Sequence, residues 1–201
     1  MDLAGARLYF VADALPEERL EAALAGGVDV VQLRLKEAAD EEVVAAARVF
    51  REVCDRHGAL FVLNDRPELV EACGADGVHV GQDDVSPVEA RAVVGPERIV
   101  GLSTHSAQQL AAAEREPVDY VAVGPVFETP TKPGRPAVGL ELVRTAAATA
   151  RKPWFAIGGI DAENAGEVVA AGAERLAVVR AIRDADDPSA AARALRALLP
   201  D

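Results

Sequence analysis

The segment 31–36 carries an amide and two cationic side chains at every second position. Alternation along a strand places Gln32, Arg34 and Lys36 on one face and the aliphatic residues between them on the other. Two inward-pointing cations are costly to bury unless an anion or a polar network receives them. The pattern therefore predicts an anion site. An ion-pair network with carboxylates of neighbouring strands is the alternative.

Carboxylates follow the next two apolar segments. Asp65 comes directly after Asn64, and the sequence Gly-Gln-Asp-Asp ends at Asp84. Carboxylates from adjacent strand ends can share one Mg²⁺, a hard cation that prefers oxygen ligands and keeps water and substrate phosphate. With the cations that precede them, Asp65 and Asp84 predict a magnesium-bound diphosphate. A helix N-cap role for Asp84, just ahead of a helix start at Ser86, is the alternative.

The fifth apolar segment ends in two hydroxyls and a histidine, Ser103-Thr104-His105. Short hydroxyl side chains at a strand end are suitable hydrogen-bond donors to a ligand. A lone histidine is more often structural or solvated than catalytic, so we assign no direct chemistry to His105. His57 and His79 are interpreted as structural.

The longest connection between predicted elements is the segment 124–136. Its prolines stiffen the chain, while Thr129, Thr131 and Lys132 offer two hydroxyls and a cation. Long connections in compact domains often act as functional lids. We expect this segment to contact a ligand, and a proline-rich surface loop is the alternative.

Two late turns have the features of a phosphate site. The sequence Ile-Gly-Gly-Ile around Gly159 lets the backbone approach a ligand closely, and a second turn opens at Val179-Arg180. In parallel barrels, the loops after strands seven and eight commonly bind phosphate through backbone N–H groups and helix dipoles. Gly159, Val179 and Arg180 are therefore candidate phosphate ligands.

All these residues stand at the ends of short β-branched segments, each followed by an amphipathic, alanine-rich helix. The predicted strands are Leu8–Ala12, 28–34, Leu60–Asn64, Gly77–Val80, 99–103, Tyr120–Val123, Trp154–Ile157 and 175–179. The predicted helices are 16–25, Asp40–His57, 67–73, 86–94, 107–116, 140–150, 164–172 and 188–199. Eight such units predict a minimal α/β fold, a (β/α)8 TIM barrel of eight parallel strands. We expect one domain over residues 1–201. A doubly wound open sheet is the alternative, because strand number alone does not prove closure.

Composition excludes several other classes of protein. The formal net charge of −12 argues against a generic nucleic-acid or membrane binder. No apolar run approaches the roughly 20 residues of a membrane span, and the N-terminus lacks the pattern of a secretory signal. Cys54 and Cys73 have no CxxC spacing and are interpreted as reduced, buried thiols. We therefore expect a cytoplasmic protein. Whether it is a homo-oligomer is left open.

Six segments, in order and at the predicted strand ends, resemble the thiamine-phosphate synthase family. They are Gln32-Leu-Arg34-x-Lys36, Asn64-Asp65-Arg66, Gly77-Val-His-Val-Gly-Gln-Asp-Asp84, Ser103-Thr-His105, Gly124-Pro-Val-Phe-x-Thr129-Pro-Thr131-Lys132 and Ile157-Gly-Gly-Ile160. The similarity runs nearly from end to end and is far more specific than any one segment.

The resemblance implies coupling of hydroxymethylpyrimidine diphosphate to a thiazole phosphate, with release of diphosphate. The residues it implies for the pyrimidine diphosphate are Gln32, Arg34, Lys36, Asn64, Ser103 and Lys132, of which Arg34, Lys36 and Lys132 would act in catalysis. Asp65 and Asp84 would hold Mg²⁺. Those it implies for the thiazole phosphate are Thr129, Thr131, Gly159, Val179 and Arg180.

Two positions depart from the family pattern. Leu35 replaces a residue that is usually polar, on what alternation makes the outer face. Arg180 stands where a serine is usual, and it could add a charge-assisted bond to phosphate. Three other activities are weighed against coupling: a thiazole tautomerase, a binder of phosphorylated thiamine precursors without turnover, and another phosphate-binding barrel isomerase or lyase.

Overall fold

Eight parallel strands close into a barrel in the computed structural model, which describes residues 3, 5–129 and 136–200. The strands are β1 (Leu8–Ala12), β2 (Val30–Leu33), β3 (Leu60–Asn64), β4 (Gly77–Val80), β5 (Ile99–Thr104), β6 (Tyr120–Val123), β7 (Trp154–Ile157) and β8 (Leu176–Val178). Strand β1 pairs with both β2 and β8, through Tyr9↔Val30 and Leu8↔Leu176. This pairing confirms the predicted TIM barrel and excludes the open sheet.

Helices alternate with the strands and cover the outside of the barrel. They are α1 (Glu17–Ala25), α2 (Asp40–His57), α3 (Pro87–Val94), α4 (Ala107–Ala113), α5 (Gly139–Thr149), α6 (Ala165–Ala170), α7 (Arg180–Arg183) and α8 (Pro188–Arg196). Start and stop signals fix several ends. Ser86 caps α3 by accepting the Glu89 N–H, and α2 ends at Gly58 in the left-handed region.

Two predictions about helices were wrong. In place of a helix over 67–73, the chain forms a short 3₁₀ turn, Pro67–Leu69, and then further turns that end at Gly74 with φ 63°. Only two residues separate this glycine from β4, so the chain must turn inward before a longer helix can form. The second error is the omission of α7, whose four residues are too few to show helical periodicity.

The side chains that point inward differ from those that face the helices. A small cluster that includes Tyr9, Val62, Tyr120 and Phe155 fills the barrel, while a larger, mainly aliphatic cluster lies between the strands and the helical shell. Inward-pointing residues come from every second position of each strand. At the C-terminal end of the barrel this same alternation delivers polar side chains.

Three aspartates hold the N-terminal ends of neighbouring strands. Asp29 Oδ2 accepts the Leu8 N–H at 2.9 Å, Asp76 Oδ2 accepts the Phe61 N–H at 2.7 Å, and Asp119 Oδ2 accepts the Val100 N–H at 2.7 Å. Each aspartate lies just before an even-numbered strand, β2, β4 or β6. Its carboxylate accepts a hydrogen bond from an amide at the start of the preceding strand, β1, β3 or β5. These contacts satisfy backbone donors that the parallel ladder leaves without partners.

Both cysteines are buried and free, as predicted. Burial raises the pKa of the Cys54 thiol to about 12. Within the described ranges, we find no helix with the length and apolar character needed to cross a bilayer.

Candidate functional site

Two adjoining cavities open at the C-terminal mouth of the barrel. The larger has a volume of about 350 Å³ and the smaller about 70 Å³. Their walls share four residues, which are Ser103, Ile157, Ala177 and Val179. The two cavities therefore meet at one wall, to which Ser103 contributes.

The smaller cavity contains a cation between two carboxylates. The Lys36 Nζ atom lies 2.8 Å from Asp65 Oδ2 and 3.8 Å from Asp84 Oδ1. The Lys36 side chain is 38% exposed, against 19% for Asp65 and 28% for Asp84. A ligand that enters the cavity from solvent can therefore contact all three side chains. They also form part of the ion-pair network that was the alternative to an anion site.

Gln32, Arg34 and Asn64 line the same cavity. Strand β2 directs Gln32 inward, and the Arg34 N–H continues the ladder beyond the strand by donating to the Ala12 carbonyl at 2.8 Å. The predicted alternation along 31–36 therefore brings one amide and two cations to a single wall.

Asp65 adopts an unusual backbone conformation, with φ 61° in the left-handed region. Its N–H donates to the His79 carbonyl at 2.8 Å, which ties the end of β3 to β4. A non-glycine residue in this region costs free energy, and such residues concentrate at functional sites. The strained turn places the carboxylate beside Lys36.

Asp84 does not cap α3. Ser86 performs that role, while Asp84 Oδ2 accepts the Gly81 N–H at 2.9 Å across the turn after β4. The second carboxylate oxygen faces Lys36. Residues 81–84 therefore form a turn that presents a carboxylate to the cavity.

The donor set suits a hard cation that is shared with a ligand. No group of three or more histidine, cysteine or carboxylate side chains with metal-binding geometry occurs in the part of the chain that the structure describes. Mg²⁺ is often held by only one or two carboxylates, with water and substrate phosphates as its other ligands. The ammonium of Lys36 occupies the space between the two carboxylates, so this pair already accommodates positive charge.

A buried polar chain runs beneath the smaller cavity. It joins Gln32, Tyr9, Tyr120, His79 and Ser103 through side-chain hydrogen bonds of 2.8–2.9 Å. Burial raises the pKa of both tyrosine hydroxyls well above their ordinary range, so both remain protonated donors.

The larger cavity is lined by Thr129, His105 and the Gly158-Gly159 turn. Gly158 has φ 106° and Gly159 has φ 66°. A Cβ atom at Gly158 would lie 2.4 Å from Pro125 Cα, and one at Gly159 would lie 2.7 Å from Phe127 Cβ. The glycines are therefore required by close packing of the chain after β6, in addition to their position at the cavity.

A reciprocal pair of side chains holds the glycine turn in place. Asp161 Oδ1 accepts the Asn164 N–H at 3.2 Å, and Asn164 Oδ1 accepts the Asp161 N–H at 3.0 Å. Asn164 Nδ2 also donates to the Gly159 carbonyl at 2.8 Å. The position of Gly159 in the cavity wall is thus fixed by side chains at the start of α6.

Arg180 begins α7 directly after β8 and lines the larger cavity together with Val179 and Asp184. A short extra helix after strand eight is a recurring part of phosphate sites in TIM barrels. The predicted phosphate residues Gly159, Val179 and Arg180 therefore meet at one cavity, although their elements are separate in sequence. Thr131 and Lys132 lie outside the described residues.

Sequence reasoning missed several residues of the cavities. Tyr9 lines the smaller cavity. Gln82 lines neither cavity, but its Nε2 donates at 2.7 Å to the carbonyl of Ser103, which lines both. His79, interpreted as structural, also lines the smaller cavity. Strand alternation places Tyr9 and His79 inward, but does not reveal which inward residues reach the mouth.

His105 does not point freely into the larger cavity. Its Nδ1 bonds with the Gly124 carbonyl, and its backbone N–H donates to Gln109 Oε1 at 2.7 Å. These contacts fix the imidazole at the wall of the larger cavity.

Comparison with known proteins gives a consistent family assignment. Residues 8–182 match the family described as thiamine monophosphate synthase. Thiamine-phosphate synthase of Thermobifida fusca is 52% identical over 201 residues, covering 96% of this chain and 92% of that protein. That of Mycolicibacterium smegmatis is 51% identical over 209 residues, with the same coverage of both chains. The solved structure of thiamine phosphate pyrophosphorylase from Pyrococcus furiosus is 33% identical, with a TM-score of 0.88 over 96% of this chain and 95% of that one. The chain therefore belongs to the thiamine monophosphate synthase family.

Proposed function

We propose that this enzyme couples 4-amino-2-methyl-5-hydroxymethylpyrimidine diphosphate to a thiazole phosphate, giving thiamine phosphate and diphosphate. The observation that carries the proposal is the pair of adjoining cavities. One has the charged groups for a diphosphate, and the other has the turns of a phosphate site. A coupling reaction needs both substrates held side by side, and the shared wall at Ser103 permits that arrangement.

The smaller cavity would bind the diphosphate. Arg34 and Lys36 supply two positive charges on one wall, and the Asn64 amide lies beside them. Lys132, from the loop after β6, would add a third cation. Positive groups fixed at the leaving oxygen lower the barrier, because negative charge develops there as the bond breaks.

Asp65 and Asp84 would hold Mg²⁺ between the protein and the diphosphate. When bound, the ion would neutralise part of the charge on the leaving diphosphate. Lys36 then contacts the diphosphate from the same side, since its Nζ lies within 3.8 Å of both carboxylates. The network of unlike charges would thus be completed by an anionic substrate.

The reaction would proceed by dissociative substitution. The bond between the pyrimidine methylene carbon and the diphosphate oxygen breaks, and its electron pair leaves with the diphosphate. The electron-rich aminopyrimidine stabilises the resulting carbocation. The thiazole nitrogen then forms the new C–N bond with its own lone pair, so no protein base is required. Catalysis would consist of positioning and charge stabilisation.

The larger cavity would bind the thiazole phosphate. Gly159 and Val179 present backbone groups, Thr129 presents a hydroxyl, and Arg180 offers a guanidinium where the family usually has serine. Thr131 would join them from the loop after β6. Replacement of Arg180 by serine should raise the KM for thiazole phosphate and leave the KM for the pyrimidine diphosphate unchanged.

The decisive experiment measures diphosphate release from the two substrates, with and without Mg²⁺, while thiamine phosphate is followed in parallel. Equal amounts of both products, formed only with Mg²⁺, would support the proposal. Isomerisation of the thiazole without coupling would indicate a tautomerase. Tight binding without turnover would indicate a binder of thiamine precursors, and turnover of a sugar phosphate would indicate another barrel enzyme. We expect the reaction to take place in the cytoplasm.

A further inference from the structure

The barrel interior contains a continuous chain of side-chain hydrogen bonds. Gln32 Nε2 donates to Tyr9 Oη at 2.8 Å, and Tyr9 Oη lies 2.9 Å from Tyr120 Oη. Tyr120 Oη lies 2.9 Å from His79 Nδ1, and His79 Nε2 lies 2.9 Å from Ser103 Oγ. The two end residues, Gln32 and Ser103, both line the smaller cavity.

The middle of this chain is sealed from solvent. Tyr120 is fully buried and lines neither cavity. A Cβ atom at Gly101 would lie 2.1 Å from Tyr120 Cζ, so the glycine leaves space for the ring. Phe155 packs edge-on against both tyrosine rings, with centroids 5.3 and 5.6 Å away. Packing therefore fixes both hydroxyls in place, and Tyr120 can influence a ligand only through its neighbours.

Proton counting gives the chain a direction. A phenol has one proton, and a neutral imidazole has one N–H and one bare nitrogen. Tyr9 accepts from Gln32, so its own proton goes to Tyr120. If Tyr9 Oη accepted hydrogen bonds from both Gln32 and Tyr120, its own hydroxyl proton would have no acceptor among these side chains. Tyr120 then donates to His79 Nδ1, and the imidazole proton lies on Nε2.

This direction determines the role of Ser103. His79 Nε2–H donates to Ser103 Oγ, so the serine proton points away from the histidine. In the opposite direction, Ser103 would donate to a bare Nε2, and its hydroxyl would offer a ligand only lone pairs. The direction thus decides whether Ser103 presents a donor or an acceptor to the cavity.

We propose that Tyr9, Tyr120 and His79 are positioning residues that hold the Ser103 hydroxyl as a hydrogen-bond donor to the pyrimidine diphosphate. The direction is set at the other end of the chain by the amide of Gln32. This inference rests on the proposed function for the identity of the ligand. The direction of the chain is a property of the free protein and can be measured separately.

The first test locates the imidazole proton of His79 by nitrogen NMR on protein labelled at histidine. The protein has three histidines, so the NMR signals are few and can be assigned with single variants. At about pH 8.5, where an ordinary imidazole is neutral, His79 should carry its proton on Nε2.

Gln32→Glu gives the sharpest variant for this measurement. It keeps the shape of the side chain but replaces the donor to Tyr9 with an acceptor, so every bond of the chain should reverse. The His79 proton should then move to Nδ1, three hydrogen bonds from the substitution. Asn64→Asp is the matched control, because it makes the same exchange at a residue of the same cavity that is not a link of the hydrogen-bonded chain, and it should leave the proton on Nε2. Retention of the proton on Nε2 in Gln32→Glu, or its loss in Asn64→Asp, would overturn the proposal.

Tyr120→Phe tests the consequence for the ligand. The substitution removes one buried hydroxyl and leaves the packing of the ring intact. The residue lines neither cavity, so it cannot contact a ligand directly. The two imidazole forms of His79 should then coexist, and the KM for the pyrimidine diphosphate should rise about five- to tenfold, the value of one hydrogen bond. The kcat should stay within about twofold, since the charged groups are unchanged.

The outcomes separate the two proposals. An unchanged KM in a folded, active Tyr120→Phe protein would overturn the positioning role. A wild-type protein that makes no thiamine phosphate would refute the proposed function, and the NMR measurement would still decide the direction of the chain. If Tyr120→Phe fails to fold, Tyr9→Phe breaks the chain one bond further from His79 and should mix the two imidazole forms in the same way.

Discussion

Replacement of Asp84 by asparagine should abolish most of the activity while the fold remains intact. The substitution keeps the side-chain shape and removes one of the two carboxylates beside Lys36. The closer of the two ion pairs, Lys36 to Asp65 at 2.8 Å, is unaffected. The lost pair is longer, at 3.8 Å, and both of its side chains are more than a quarter exposed. Such pairs contribute at most about 1 kcal/mol to the free energy of unfolding. We therefore expect a small change in Tm.

The effect on catalysis should be much larger. Loss of one fixed group that stabilises developing charge in an active site typically costs about 3–4 kcal/mol, which is roughly a 100- to 1,000-fold loss of rate. We expect kcat/KM of Asp84→Asn to fall within this range. The Mg²⁺ concentration for half-maximal rate should also rise, because a carboxylate ligand is replaced by a neutral amide.

The assay is the initial rate of diphosphate release over a wide range of Mg²⁺ concentrations. Asp186→Asn is the matched control. It makes the same exchange at an exposed residue that lines neither cavity, and it should stay within about twofold of the wild type, as expected for a screened surface charge. If Asp84→Asn had the activity and the Mg²⁺ dependence of Asp186→Asn, the metal role of Asp84 would be refuted.

Three further predictions concern other parts of the molecule. Asp76→Ala should lower the free energy of unfolding by about 2–3 kcal/mol, because the Phe61 N–H and the Arg51 guanidinium both lose a partner. Urea denaturation would measure this, and Asp55→Ala, which removes the exposed carboxylate partner of Arg51, should cost less than about 0.5 kcal/mol. Replacement of His105 by alanine should reduce turnover by no more than about tenfold, since its ring is held against the Gly124 carbonyl and lines the larger cavity, not the one that contains Arg34 and Lys36. A loss as large as that of Asp84→Asn would contradict the mechanism. Thiol reagents should not label the native protein at pH 8, because burial raises the pKa of Cys54 to about 12 and also raises that of Cys73. Rapid labelling of either thiol before unfolding, measured by mass spectrometry, would show that it is not buried in solution.

Much of the candidate site could be predicted from local sequence, since alternation in parallel strands is a local property. The pattern along 31–36 correctly placed Gln32, Arg34 and Lys36 on one wall, and the acidic residues after β3 and β4 came together beside them. The number and order of the βα units also predicted the barrel, whose closure the pairing of β1 with β8 confirms.

The interior chain could not be predicted, because it depends on distances between residues far apart in sequence. Tyr9 and Tyr120 are separated by 111 positions, yet their hydroxyls lie 2.9 Å apart. His79 was interpreted as structural, and no local pattern marks it as a link between Tyr120 and Ser103. The packing of Phe155 and the space above Gly101 bring these groups together, and both are consequences of strand register around the closed barrel.

The sequence by itself determined which side chains point into the barrel and which end of each strand carries the chemistry. The physical reason is that strand periodicity and chain direction are written in consecutive residues. The tertiary structure alone decided that Lys36 lies between two carboxylates, that Asp84 leaves the capping of α3 to Ser86, and that a short helix begins at Arg180. Those outcomes depend on how neighbouring strand ends share space at the mouth, which no single segment specifies.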